Sequence, residues 1–256
     1  MYQRELKIAI HAIERSSTAI LGIYHQDDFD FKRKADNTIV TQADMASHHI
    51  LTDVLLREFP DYAILSEEGD SDRRRFETDY VWIIDPLDGT REFVNRNDQF
   101  SINLALVKGD RPVLGLVYVP CLDSLYYAIE GRGAYRRNEG KTERIRVSDR
   151  TKDLTLVRSR SRLTPQLCEL MERQEITRIL KVGSALKGCL VADGTADIYY
   201  SYGQTSEWDL CPVDLIVHEA GGVFQYVNGE TLTYNRTDNL NRGGIVALNT
   251  KKNLFL

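Results

Sequence analysis

Near the N-terminus Leu6, Ile10, Ile13 and Ile20 recur at helical spacing, which predicts an amphipathic helix. The stretch QDDFDFKRKADNTIVTQAD that follows is polar. ADMASHHILTDVLLREFP has apolar positions near Ile50, Val54 and Leu55 and predicts a second helix, ending before Pro60 because a residue preceding proline leaves the α region. The pattern then changes. AILSEEGD predicts a short strand running into an acidic turn, and YVWIID a strand that ends at DPLDGT. FSINLALVKG, RPVLGLVYVP and SLYYAIEGRGAYRR read as strands punctuated by Gly, Pro and Asp. KTERIRVSD is a candidate opening for a second lobe. It is followed by a strand in TLVRSRS, a helix in TPQLCELMERQE, strand then turn in TRILKVGS and a helix in ALKGCLVADG. A strand in ADIYYSYG, a helix in DLCPVDLIVHEAGG and a last strand in GIVALN complete the chain. Mixed layers of strands and helices predict an α/β (α+β layered) class, with an N-terminal lobe over 1–140 and a C-terminal lobe over 141–256.

A chain of 256 residues, 42% hydrophobic and 28% charged, can bury a substantial core and is ordinary for a globular protein. The formal net charge of -5, with acids and bases interspersed, argues against a nucleic-acid polymer as partner but leaves room for a local basic pocket. No apolar run reaches membrane-spanning length, so no membrane insertion is expected. Cys121, Cys168, Cys189 and Cys211 are widely spaced and form no CxxC pair. They predict neither a zinc site nor a disulfide framework, and reduced thiols point to a cytoplasmic location.

The chemistry centres on DPLDGT. Asp85 and Asp88 are separated by Pro86, which fixes one φ angle, and Leu87, and Gly89 then permits a conformation that other residues disfavour. Read alone, such a turn holds an Asp that caps the next helix about as often as it holds a ligand. Glu67 and Glu68 also follow an apolar strand, and Asp209 lies at another strand-to-helix junction. Carboxylates converging from element ends repel one another, and a hard cation resolves the repulsion. Oxygen ligands without His or Cys favour Mg²⁺ over zinc. His48 and His49 lie on a predicted helix and read as surface or packing residues.

In order and spacing, Glu67-Glu68, the DPLDGT block of residues 85–90 and Trp208-Asp209 resemble the signature of the Mg²⁺-dependent, lithium-sensitive phosphatases of the inositol monophosphatase superfamily. The resemblance runs from about Lys34 to the final strand. It implies an αβαβα sandwich of two lobes with the active site between them. It also implies two to three Mg²⁺ ions. Glu67, Asp85 and the Leu87 carbonyl would hold the first; Asp85, Asp88 and Asp209 would hold the second, and a weaker third would lie near Glu67. One ion would activate a water and another support the leaving oxygen of an in-line displacement at a phosphate monoester. Thr90 matches the motif threonine that relays a hydrogen bond to the nucleophile. Asp36 and Asp44 align with acids that surround that threonine in related enzymes. Asp36, Thr90 and Glu67 are therefore the expected catalytic residues.

Finer similarity points to the 3'(2'),5'-bisphosphate nucleotidase branch, which acts on adenosine 3',5'-bisphosphate. DPLDGTREF is close to that branch's DPLDGTKEF, Ser159-Arg160-Ser161 matches its Ser-Arg-Ser, and VGSALKGCLVADG resembles its glycine-serine turn. Substrate contacts are thereby implied for Gly89, Thr90, Arg91, Ser161, Gly183, Ser184, Lys187 and Asp209. Arg162 departs from a common His, Ser201 from a common Arg, and Thr38-Ile39-Val40-Thr41 from Ser-Pro-Val-Thr. Arg158, Arg160 and Arg162 alternate, so on one strand they would share a face and could receive a second phosphate. The plain alternative is a solvated charged edge. Two other readings stay open: an inositol or fructose-1,6-bisphosphatase-like sugar phosphatase on the same chemistry, and a non-catalytic binder. Either a monomer or a homodimer is compatible. Trp208 is expected to pack beneath the metal loop, Pro212 to sit in a helix's first turn, and Gly221-Gly222 to stop that helix.

Overall fold

A computed structural model describes residues 1–26, 31–33, 39–70 and 72–255. Helix α1 (Gln3–Tyr24) buries Ala9, Ala12, Ile13, Ser16, Ser17 and Ile20, a stripe of small and branched residues that admits a neighbouring helix. The polar stretch after it holds two short antiparallel strands, β1 (Phe31–Arg33) against β2 (Ile39–Thr41), which the pattern did not predict. Helix α2 (Gln42–Glu58) starts at a capping box. Asp44 Oδ2 accepts from the backbone N–H of Thr41 at 2.7 Å, and Thr41 Oγ1 accepts from Ala43 N–H at 3.1 Å.

Seven strands follow in sheet order: β3 (Ala63–Ser66), β4 (Tyr80–Asp88), β5 (Ser101–Lys108), β6 (Arg111–Val119), β7 (Ser124–Ile129), β8 (Gly133–Asn138) and β9 (Lys141–Ile145). The short helix α3 (Thr90–Val94) lies between β4 and β5. Only β3 and β4 run parallel. Since β9 pairs with β8, this sheet extends past residue 140.

The second half contributes β10 (Thr155–Ser159), α4 (Pro165–Arg173), β11 (Arg178–Val182), α5 (Leu186–Ala192) and β12 (Ile198–Ser201). It continues with β13 (Thr205–Ser206), α6 (Glu207–Glu219), β14 (Val223–Tyr226), β15 (Leu240–Asn241) and β16 (Ile245–Leu248). A five-stranded sheet runs β11-β10-β12-β16-β14, and β13 pairs with β15. Strand β10 stops at Ser159, so Arg158, Arg160 and Arg162 do not alternate along one strand.

Period-two alternation assigns the layers. Trp82, Ile84, Ile102, Leu104 and Leu106 face α1 and α2. Val81, Ile83, Ala105, Val107 and Val117 face the opposite way, packing with α5, α6 and the inner face of the second sheet, including Val157, Tyr199 and Ala247. Leu156, Ile198, Tyr200 and Val246 cover the outer face together with Leu167 and Leu170 of α4. The result is the expected αβαβα sandwich, with α5 and α6 as the middle layer. Gly115 of β6 is what lets α6 approach: a Cβ there would lie 2.6 Å from the Pro212 carbonyl oxygen. Pro212 itself is the sixth residue of α6 rather than part of its first turn, because the helix already begins at Glu207.

Candidate active site

In a regular strand, residues three apart face opposite sides. Asp85 pairs with Asn103 and Asp88 with Ser101, so two residues of β4 oppose one of β5. This bulge restores the phase and turns both carboxylates the same way. The strand therefore continues through Asp88 instead of ending at Asp85, because its ladder resumes after the bulge. Gly89 then takes a φ of 89°, with Gln99 O and Phe100 Cα so near that a Cβ would meet them at 3.3 and 3.4 Å. The chain turns into α3, which starts at Thr90.

Four bonds fix the loop from behind. Leu87 N–H donates to Asp85 Oδ1 at 3.1 Å. Ser47 of α2 donates to the Pro86 carbonyl at 2.7 Å, so the proton between Ser47 and Ser16, 2.6 Å apart, comes from Ser16. Asp88 Oδ2 accepts from Ala185 N–H at 2.5 Å and from Asn103 Nδ2 at 3.3 Å, tying the first sheet to the head of α5. Asn103 is a site partner that motif reasoning missed. Its signal was a lone amide in the apolar run FSINLALV, since a buried polar group needs a partner.

Asp209 is the third residue of α6. Its Oδ2 accepts from Ser206 N–H at 2.6 Å in a capping box. One oxygen each from Asp85, Asp88 and Asp209 lies within 4.8 Å of the others. Glu67, whose N–H donates to Ile84 O at 3.1 Å, lines the same cavity. The electrostatics of the four acids are unfavourable. Burial, then the charges of Glu67, Asp88, Asp209 and Asp44, hold Asp85 well above the carboxylate range. Burial also raises Asp88, against the pull of Lys187. Asp209 is pushed up to about 7, by burial and then by Asp88. An all-oxygen set with this much unrelieved repulsion fits a hard divalent cation.

The remaining expected residues divide. Gly89, Thr90, Arg91, Ser161, Ser184 and Lys187 line the cavity with the acids. Thr90 Oγ1 stands 3.5 Å from Leu87 O, Ser161 Oγ donates to Glu92 Oε1 at 2.8 Å, and Lys187 Nζ donates to Ser184 O. Gly183 is not among the lining residues, and its N–H is taken by Gln99 Oε1 at 3.0 Å. Of the three arginines, Arg158 bonds Ser159 O, Arg160 bonds Gln99 Oε1 and Lys181 O, and Arg162 faces the cavity. Asp36 lies outside the described residues. Asp44 is buried and raised to about 6, by burial against its bonds to Thr41. His48 bonds Ser66 Oγ through Nδ1 at 2.9 Å, a packing role. Trp208 packs against the core between the sheets. The four cysteines are free thiols.

The cavity lined by Glu67, Asp85, Asp88 and Asp209 measures about 430 Å³. Leu167, Tyr199, Tyr200 and Tyr202 line it as well. Tyr200 is held by its hydroxyl to Asn253 O at 3.1 Å, and Tyr202 stacks on it with ring centroids 6.2 Å apart. Among the described residues no helix is long and apolar enough to cross a membrane.

Comparison with known proteins places this arrangement. The chain is 38% identical to the 3'(2'),5'-bisphosphate nucleotidase CysQ of Salmonella typhimurium over 84% of its length and 88% of that protein. A crystal structure of CysQ from Bacteroides thetaiotaomicron, described as a bacterial member of the inositol monophosphatase family, superposes with a TM-score of 0.86 at 37% identity. The match covers 98% of this chain and 99% of that one. An inositol monophosphatase from Anabaena superposes with a TM-score of 0.76 at 27% identity, over 96% and 91% of the two chains. The family model described as "Inositol monophosphatase family" matches residues 1–255. Sequence, fold and acid cluster agree, and the chain belongs to the inositol monophosphatase family.

Proposed function

We propose that the protein is a Mg²⁺-dependent phosphatase that removes the 3'-phosphate of adenosine 3',5'-bisphosphate. The observation that carries this reading is the 38% identity, across most of both chains, to an enzyme named for that activity. The acids of the site agree with it. Glu67, Asp85, the Leu87 carbonyl, Asp88 and Asp209 would hold two to three Mg²⁺ ions. Bound there, the ions would lower the pKa of a water and neutralise charge on the transferring phosphoryl group.

The chain's own groups do the rest. Among the described residues the Thr90 hydroxyl makes a long bond to Leu87 O, so it is available to orient a water in the cavity beside Glu67; Asp36 is the further residue assigned to that task by the resemblance. Lys187 lies close enough to Asp88 and Asp209 to lower both, and its ammonium places a positive charge beside the phosphate site. Ser161, Ser184 and the Arg91 and Arg162 side chains border the same space and suit phosphate oxygens. The tyrosine lining gives a flat heterocycle a surface that an inositol ring would not need. Free thiols accord with a reducing, cytoplasmic setting.

The likeness to an inositol monophosphatase keeps a sugar phosphatase as the second reading. Phosphate release with Mg²⁺ from adenosine 3',5'-bisphosphate, inositol 1-phosphate and fructose 1,6-bisphosphate separates them. Fast release from the nucleotide is expected. Negligible release from it beside fast release from either sugar ester overturns the assignment, and binding without hydrolysis of all three would leave a binder.

A further inference from the structure

The four acids of the site repel one another, yet Asp209 is carried by α6 while Asp85 belongs to the first sheet and Glu67 follows directly on its strand β3. Something must hold the head of α6 in place on the side away from the cavity. A buried polar chain runs there. Glu207, the first residue of α6, is fully buried beside Trp208-Asp209. Its Oε2 accepts from Asn235 N–H at 2.7 Å, and its Oε1 accepts from Arg236 N–H at 3.0 Å and Arg236 Nε at 2.9 Å. Asn235 has a φ of 60°, the left-handed conformation in which successive N–H groups can point at one anion.

The chain then crosses to the first sheet. Arg75 is 2% exposed and lies on the single turn Arg73–Phe76, within the same β3–β4 connection that carries Glu67. Its guanidinium donates to Asn235 Oδ1 at 2.7 Å and to Arg236 O at 2.9 Å, and Asn235 Nδ2 donates back to Arg75 O at 2.7 Å. Arg75 Nε has no hydrogen-bond partner among the described residues, so burying the guanidinium carries a cost that its other bonds, the Phe76 ring 4.0 Å away and the charge of Glu207 offset only in part. Buried ionic networks often stabilise a fold no better than apolar packing of the same volume, and in some systems what they contribute instead is fixed geometry.

We infer that Arg75, Asn235, Arg236 and Glu207 form a clasp that sets the spacing between Asp209 and the carboxylates of Glu67 and Asp85. Arg75 and Glu207 are then positioning residues for the metal centre, although neither lines the cavity. The inference rests on the proposal that these acids hold a divalent cation.

Arg75→Met and Glu207→Gln test it, with Mn²⁺ binding followed by electron paramagnetic resonance and stability in EDTA followed by urea denaturation. Binding should weaken about tenfold in both folded variants, the scale seen when partners behind metal ligands are removed. The KM for the phosphate ester at saturating metal should stay at the wild-type value, and Arg75→Lys should recover part of the affinity. A purely structural clasp would lower stability and leave Mn²⁺ affinity unchanged, and that result overturns the inference. Glu207→Gln keeps the side chain's size and one acceptor oxygen, so it carries the test if Arg75→Met fails to fold. Wild-type protein that binds no Mn²⁺ would instead overturn the metal reading itself.

Discussion

Asp85→Asn should make the cation-free protein no less stable while abolishing its response to Mg²⁺. Asp85 is 1% exposed, and burial and three neighbouring acids of the site raise it. The penalty can be sized on Asp209, displaced from 3.8 to about 7, which corresponds to at most about 4 kcal/mol for holding that carboxylate charged without a cation. The direction follows from proton linkage. These acids bind their protons more tightly folded than unfolded, so the cation-free protein loses stability as pH rises from about 4 to about 7. A cation at roughly 100 times its Kd returns about 2.7 kcal/mol, and does so most fully where the carboxylates are charged. The substitution removes one charge and a shared ligand, yet the amide oxygen it introduces can still accept from Leu87 N–H, so the loop should persist. In EDTA at about pH 8, urea denaturation should show the variant equal to wild type or more stable by about 1–3 kcal/mol. Added Mg²⁺ should raise the wild-type midpoint alone, and phosphate release should fall by at least about a thousandfold, or about 4 kcal/mol of barrier. A variant with a wild-type Mg²⁺-dependent shift in midpoint, or near-wild-type turnover, would refute the shared-ligand argument.

Gly115→Ala would drive a Cβ to within 2.6 Å of the Pro212 carbonyl, and should destabilise by about 1–3 kcal/mol in urea denaturation. Ser47→Ala leaves the Pro86 carbonyl and the Ser16 hydroxyl without their partner, so a loss of about 1–3 kcal/mol is expected, with a higher Mg²⁺ requirement in the phosphate-release assay. Asp214→Asn weakens a buried acceptor shared by Arg111, His218 and Tyr234, and should lower stability by about 3 kcal/mol. Burial pulls His218 down, but its bond to Asp214 and that residue's charge outweigh it and raise the imidazole above its ordinary value. The stability from this pair is therefore full below the ordinary histidine pKa and is lost as pH rises through the raised one. Thermal midpoints across that range should show this slope in wild type and not in Asp214→Asn.

Much of the layer order could be read from the sequence. Alternation in YVWII and FSINLALV, with apolar residues at both phases, marks strands covered on two faces, and helical spacing marks α1. The acids of DPLDGT, Glu67 and Asp209 were legible because carboxylates at the ends of apolar elements stand out locally. Local pattern could not show the bulge. Asp85 and Asp88 are three apart, and only the pairing of β4 with β5 shows that they point the same way. The same limit hid Asn103 behind Asp88, the Gln99 bond that occupies Gly183 N–H, and the divergence of Arg158 and Arg160 from Arg162. The sequence by itself determined which residues carry charge and which elements carry them. Tertiary structure alone decided which charges meet, since Asp85 and Asp209 lie 124 residues apart in the chain. Their approach depends on Gly115 admitting α6 and on backbone pairings that no local periodicity encodes.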